Sequence, residues 1–221
     1  MVTSAKAGSA LWAFAAVMFL AYPIMRPYST EVGMEGAEAF AQTNWVVAHV
    51  SAMLGFVAIA LALRSLEHVV AATAGAATAG TAVVLTWIGV GLTLTYYGAE
   101  AFALNAVGAK AVSDAEPAIM DLADPIRNGA VQISMFGIGL VLVLVGGIFA
   151  ALAVRRSGVL PAWAGLPIAV GLALFLPQFF ASPALRIGHG VVMFVGCVVM
   201  AWAMWNARTE RVKTDLAAAS H

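Results

Sequence analysis

The stretch AVQISMFGIGLVLVLVGGIFAALAV, residues 130–154, contains no charged side chain and decides the class of this fold. An α-helix rises about 1.5 Å per residue, so this run is long enough to cross a hydrocarbon core about 30 Å thick. Of the 221 residues in the chain, 62% are apolar and only 10% are charged, and the mean hydropathy is +0.94. These values lie far outside the soluble range and predict an all-α integral membrane protein.

Other stretches of similar composition lie on both sides of this run, and together they predict one transmembrane domain over residues 1–221. The third stretch has alanine-rich flanks that can extend its helix to 70–104. The last loops have only a few residues, so neighbouring helices are expected to be antiparallel in a helical bundle. The six predicted transmembrane helices cover about 9–25, 45–63, 77–97, 130–154, 159–181 and 187–205.

Charge is distributed unevenly between the two faces of the predicted bundle. Most acids fall on the face opposite the termini, where the acidic stretches 31–38 and 114–124 are expected to be solvated loops. Basic loops tend to stay in the cytoplasm, so we predict a multi-pass protein of the cell membrane with both termini cytoplasmic. We expect the lipid bilayer as its partner and no nucleic acid. The basic residues predicted on the cytoplasmic face are Lys6, Arg64, Arg155, Arg156, Arg208, Arg211 and Lys213.

Polar residues gather near the outer ends of the predicted helices. His49 follows the start of the second helix and His189 the start of the sixth, and these helices run in the same direction. The two imidazoles are therefore expected at one depth, near the outer leaflet. We predict a pocket there, lined by His49, Tyr97, Glu100, Arg127, Arg186 and His189.

One face of the third helix supports this pocket. Thr93, Tyr97, Glu100 and Leu104 recur at helical spacing and therefore share a face. Burying a carboxylate against acyl chains costs several kcal/mol, so this face is expected to contact protein or water.

A bis-histidine haem b is the sharpest functional hypothesis. Imidazoles from two helices at a matched depth are suitable axial ligands for one haem iron, here His49 and His189. Arginines near the same face, Arg127 and Arg186, suit the haem propionates. Tyr96 completes the predicted cofactor-binding set.

A metal-dependent membrane enzyme is the second hypothesis. His49, His189 and Glu100 form a two-histidine, one-carboxylate set, which can bind a divalent metal and leave a position open for water. Glu100 and Tyr97 are the candidate catalytic residues. The local pattern is not specific, because the chain has no HExxH motif.

Two further interpretations stay open at this point. The chain can be a carrier or receptor in which Glu100, Arg127 and Arg186 bind or relay protons and small polar solutes. In the enzyme hypothesis, Tyr96, Tyr97 and the arginines can instead bind an anionic or lipid-like substrate. Alternatively, Glu100 can form a purely structural ion pair with Arg127 or Arg186. The glycines of the fourth helix favour close helix packing and can also support oligomerisation. These glycines are Gly129, Gly137, Gly139, Gly146 and Gly147.

Overall fold

The protein is helical throughout the part that the structure, a computed structural model, describes. It describes the backbone of residues 4–219 and the side chains of residues 4–207. No strand occurs in residues 4–219, which confirms the all-α prediction. The side chains of Arg208, Arg211 and Lys213, which entered the charge argument, lie outside the described residues. The α-helices are α1 (Ala5–Met25), α2 (Gly33–Ala41), α3 (Thr43–Val69), α4 (Ala76–Gly98), α5 (Leu104–Asp114), α6 (Ala123–Asn128), α7 (Ala130–Ser157), α8 (Leu166–Ala173) and α9 (Pro183–Ala219).

Five helices in the described residues are long and apolar enough to cross a membrane. One of them is composite, because α4 continues through a π-helical turn, Ala99–Ala103, into α5. It begins at Ala76, since residues 70–75 form a turn, and it extends beyond residue 104 to Asp114. The five helices are Ala5–Met25, Thr43–Val69, Ala76–Asp114, Ala130–Ser157 and Pro183–Ala207.

The predicted helix over 159–181 is interrupted in the structure. Only α8 is α-helical there, and a short 3-10 helix, Pro177–Phe180, follows it after a turn. Pro161 and Pro177 bracket α8, and proline stops a helix because it lacks an N–H group and clashes with the preceding turn. The count of six spans therefore stays a prediction.

The first and last long helices pack antiparallel to each other. Near the start of α1, Ser9 Oγ donates to the carbonyl oxygen of Ala201 at 2.8 Å. At the other end of the same pair, Gly190 lies against Pro23. The start of α1 and residues 201–204 of α9 therefore lie at one end of the bundle.

Helices α4 and α7 approach each other closely through small residues. Gly89 lies against Gly139, and Gly146 lies against Thr86, so the two backbones come close together. Gly147 packs against Leu172 near the end of α8. The predicted close packing thus occurs within one chain at Gly139, Gly146 and Gly147, whereas a methyl group at Gly137 would meet nothing within 4 Å among the described residues and one at Gly129 would lie only against Gln132. Oligomerisation through these glycines stays a prediction.

A smaller helical layer covers the other end of the bundle. The stretches expected to be solvated loops instead contribute α2 and a 3-10 helix, Pro117–Leu122. They pack with α5 and α6 because their apolar residues form a second core. The buried members of this core are Ala37, Phe40, Trp45, Leu104, Ala111, Met120 and Ala123. We call this layer the cap.

Substitution of Gly89 tests the α4–α7 contact. A methyl group at Gly89 would lie 2.6 Å from the carbonyl oxygen of Gly139. We therefore expect Gly89→Ala to lower the free energy of unfolding by about 1–3 kcal/mol through overpacking. Gly91→Ala is the matched control, because a methyl group there meets nothing within 4 Å. Thermal unfolding in detergent measures both, and equal melting temperatures would contradict the close approach.

Candidate functional site

A cavity of about 400 Å³ lies at the capped end of the bundle. The ends of α1 and α4, the starts of α3 and α9, and α6 contribute its polar wall. Six of the seven side chains predicted for the pocket or for the cofactor-binding set line it, whereas His189 does not. These six are His49, Tyr96, Tyr97, Glu100, Arg127 and Arg186.

The π-helical turn places Glu100 inside the protein. The N–H of Leu104 donates to the carbonyl oxygen of Ala99, five residues earlier, which widens the turn. The Glu100 carbonyl oxygen accepts from Nε1 of Trp45 at 2.6 Å. Glu100 is only 7% exposed, and the other members of its predicted stripe, Thr93, Tyr97 and Leu104, are buried as well.

Arg127 binds this carboxylate through two parallel hydrogen bonds. Its Nε donates to Glu100 Oε1 and its Nη2 donates to Glu100 Oε2, both at 2.7 Å. Its Nη1 donates to Oε2 of Glu31, also at 2.7 Å. Burial lowers the pKa of Arg127, but the charges and hydrogen bonds of Glu100 and Glu31 raise it by more than burial lowers it. The pKa of Arg127 therefore lies above its ordinary value. The arginine is therefore charged, and its bidentate pair with Glu100 is of the strong kind.

Glu31 is a site residue that sequence reasoning missed. Its backbone has a φ of 58°, in the left-handed region that residues other than glycine rarely adopt. This conformation accompanies a carboxylate that bridges Arg26 and Arg127. Burial raises the pKa of Glu31, but the two arginines lower it more, so its pKa lies below the ordinary value. Nothing in the acidic stretch 31–38 distinguishes this glutamate from its neighbours.

His49 is held in one orientation at the edge of the cavity. Its Nδ1 lies 2.7 Å from the carbonyl oxygen of Trp45, one helical turn earlier. Its Nε2 lies 3.8 Å from Oε2 of Glu100, which is too long for a hydrogen bond. Tyr22 and Tyr97 pack around the imidazole, with ring centroids 5.6 Å and 6.1 Å away.

His189 has a different environment from His49. Its Nε2 lies 2.9 Å from the carbonyl oxygen of Gly171. Its ring packs edge-on against Phe175, which also contacts Phe56 of α3. Among the side chains that the structure describes, no group of three His, Cys, Asp or Glu residues could hold a metal ion. The structure therefore gives the haem and metal hypotheses no support.

Arg186 is a cation of the pocket with no carboxylate partner in residues 4–207. Its Nε donates to Oε1 of Gln178 at 3.3 Å, and its guanidinium lies 5.5 Å from the Phe179 ring centroid. The two carboxylates of the pocket, Glu31 and Glu100, are bound by Arg127 and Arg26. The cavity wall therefore carries an excess positive charge at Arg186.

The other wall of the cavity is apolar and opens sideways. It consists of the first turns of α7 and of residues 176–180, including Ile133, Phe136, Phe179 and Phe180. Phe180 is 88% exposed, and no residue in the segment 130–138 of α7 is fully buried. Sequence reasoning missed this wall, because aromatic residues near a membrane face are also typical of an interfacial belt.

No protein-family model matches the chain, and comparison with curated proteins and with solved structures found no match. The functional argument therefore rests on the geometry of the cavity.

Breaking the Arg127–Glu100 pair should destabilise the fold. Arg127→Met leaves a buried carboxylate without its donors, so we expect a loss of about 3–5 kcal/mol in the free energy of unfolding. The double variant Arg127→Met/Glu100→Met should lose less than the sum of the two single variants. Lys110→Met, which breaks an exposed pair with Asp114, is the control and should change little. Strict additivity in denaturant unfolding would contradict the coupling.

The ion pairs of Glu31 should make stability depend on pH. Because its folded pKa lies below the ordinary value of 4.5, they stabilise the protein above pH 4.5 and lose this effect as the pH falls through the folded pKa. Glu31→Gln lacks the effect, so its melting temperature should approach that of wild type at low pH. Glu38→Gln, at an exposed position on α2, is the control. A wild-type advantage that is unchanged down to about pH 3 would argue against this assignment.

Proposed function

We propose that this chain is a six-span protein of the cell membrane that binds an amphipathic anion in an outer-leaflet pocket. It is then a receptor or carrier for a lipid-like ligand. The observation that carries the proposal is Arg186, a pocket cation without a carboxylate partner in the described residues, beside an apolar wall.

The topology of this proposal has support from packing and charge. The segment 159–181 starts beside the end of α7, where Gly165 meets Ala151, and finishes beside Arg186, so its chain runs the length of the bundle. Lys6, Arg64, Arg155 and Arg156 lie away from the pocket end. Basic residues there favour cytoplasmic termini and a pocket near the outer leaflet.

The anionic character of the ligand follows from unused donors. Arg26 lines the cavity, and its Nε is buried and has no hydrogen-bond partner in the described residues. Arg186 lines the cavity as well, and its Nε donates to Oε1 of Gln178. Buried donors are costly without an acceptor, and an anionic group with several oxygens can accept from both arginines.

The lipid-like character follows from the apolar wall. An opening between α7 and residues 176–180 faces the side of the bundle, where exposed Ile133 and Phe180 would meet acyl chains. A ligand in the bilayer can then place its charged group at Arg186 and leave its chain in the lipid. A water-soluble anion would gain nothing from this apolar surface.

Binding of a short-chain anionic lipid tests the proposal. Dioctanoyl phosphatidylpropanol should bind the purified protein more tightly than uncharged dioctanoylglycerol. Arg186→Gln should weaken its binding about tenfold or more, since a hydrogen bond to a charged group contributes about 1.5–3 kcal/mol. Arg155→Gln, at an exposed position near the end of α7, is the matched control. Native mass spectrometry measures the affinities, and an unchanged affinity in Arg186→Gln would reject the site.

A further inference from the structure

We propose that the ligand also donates a hydrogen bond into the gap between His49 and Glu100, so that it is a monoanion that carries a hydroxyl group. A glycerol phosphodiester headgroup has this chemistry. The inference rests on the proposed anion site at Arg186 and specifies which anion that site receives.

The orientation of His49 leaves an acceptor facing the cavity. A carbonyl oxygen can only accept, so Nδ1 must carry the proton that it shares with the Trp45 carbonyl at 2.7 Å. In a neutral imidazole with this tautomer, Nε2 has a free lone pair. No residue whose side chain the structure describes donates to that nitrogen, and His49 lines the cavity.

The second acceptor is Oε2 of Glu100. Both carboxylate oxygens of Glu100 accept hydrogen bonds from Arg127, so this side chain acts as an acceptor in the cavity. Each carboxylate oxygen can accept more than one hydrogen bond, so Oε2 keeps acceptor capacity after binding Arg127 Nη2. Two acceptors 3.8 Å apart do not bond to each other, but a donor placed between them can reach both.

Charge favours a hydroxyl over an ammonium as this donor. The cavity wall holds Arg26, Arg127 and Arg186 against only Glu31 and Glu100. A monoanion at Arg186 balances this excess, whereas an ammonium beside Glu100 would add a positive charge close to Arg127. The uncharged donor that completes the balance is a hydroxyl group on the same ligand.

Both recognition points lie in one cavity. Arg186 and His49 line the same volume of about 400 Å³, and Tyr97 lies beside His49 on the wall between α3 and α4. A headgroup of a phosphate and a few carbon atoms fits such a volume. A fatty-acid carboxylate, in contrast, has no group for the gap once its oxygens contact Arg186.

The test compares two lipids of equal charge and equal chain length. Dioctanoyl phosphatidylglycerol carries headgroup hydroxyls, and dioctanoyl phosphatidylpropanol lacks them. We expect wild type to bind phosphatidylglycerol about tenfold more tightly, since a headgroup hydroxyl donates a hydrogen bond into the gap. His49→Phe keeps an aromatic ring but removes Nε2, one of the two acceptors, so it should lose most of this preference. His68→Phe, at an exposed position near the other end of α3, should keep the preference.

The outcomes separate this inference from the proposed function. If wild type binds both lipids equally and Arg186→Gln weakens both, the anion site stands and the hydroxyl inference fails. If His49→Phe keeps the preference, the hydroxyl is recognised elsewhere and the inference fails as well. If neither lipid binds wild type, the proposed function itself fails.

A chainless headgroup distinguishes a lipid from a soluble phosphodiester. Glycerophosphoglycerol should bind at least a hundredfold more weakly than the dioctanoyl lipid, because it cannot bury apolar surface against Phe179 and Phe180. Equal affinities would assign the site to a soluble phosphodiester and overturn the lipid part of the proposal. The wild-type lipid comparison remains decisive even if His49→Phe fails to fold.

Discussion

The bidentate pair between Arg127 and Glu100 is the interaction on which the capped end of this protein depends. A carboxylate that is 7% exposed on a membrane-spanning helix is costly unless a cation and hydrogen bonds accompany it. Arg127 supplies both from α6 and extends to Glu31 in the loop after α1. The pair therefore joins three separate segments, and the π-helical turn is the local distortion that directs Glu100 towards them.

This arrangement divides the polar groups of the cavity into two classes. Glu31, Glu100 and Arg127 form ion pairs with one another, so their charges are paired within the protein, although Oε2 of Glu100 can accept one more hydrogen bond. Arg186 and His49 Nε2 lack such partners in the described residues although they line the same cavity. The first class holds the cap on the bundle, and the second class is left for a ligand. If Arg127 did not bind the two glutamates, they could neutralise Arg186 and compete with an anionic ligand.

Much of the helical framework could be predicted because hydropathy is a local property. The predicted ends of α1 at residue 25 and the predicted start of α7 at residue 130 coincide with the structure. The segment 159–181 was less predictable, since the mean hydropathy of an apolar window does not show that Pro161 and Pro177 interrupt the helix. The cap helices are too short for a composition signal, and their stability comes from a small core that sequence order does not reveal.

The sequence predicts many of the residues that line the site but not which of them pair with one another. Helical spacing placed Tyr97 and Glu100 on one buried face, because periodicity along a helix is set by its geometry. Glu31 could not be found in this way, since its position depends on a left-handed backbone conformation in a loop.

The two histidines show why equal depth does not establish a shared site. Depth follows from counting residues along a helix, but lateral contacts depend on side-chain packing between helices. Phe175 packs between α3 and His189, and the Gly171 carbonyl lies within hydrogen-bond distance of His189 Nε2. In His49, Nδ1 instead donates to the backbone carbonyl of Trp45 in its own helix, and Nε2 faces the cavity. A polar group whose hydrogen bonds are made within such a bundle holds helices together. A polar group that faces a cavity without a hydrogen-bond partner indicates the chemistry of the proposed ligand.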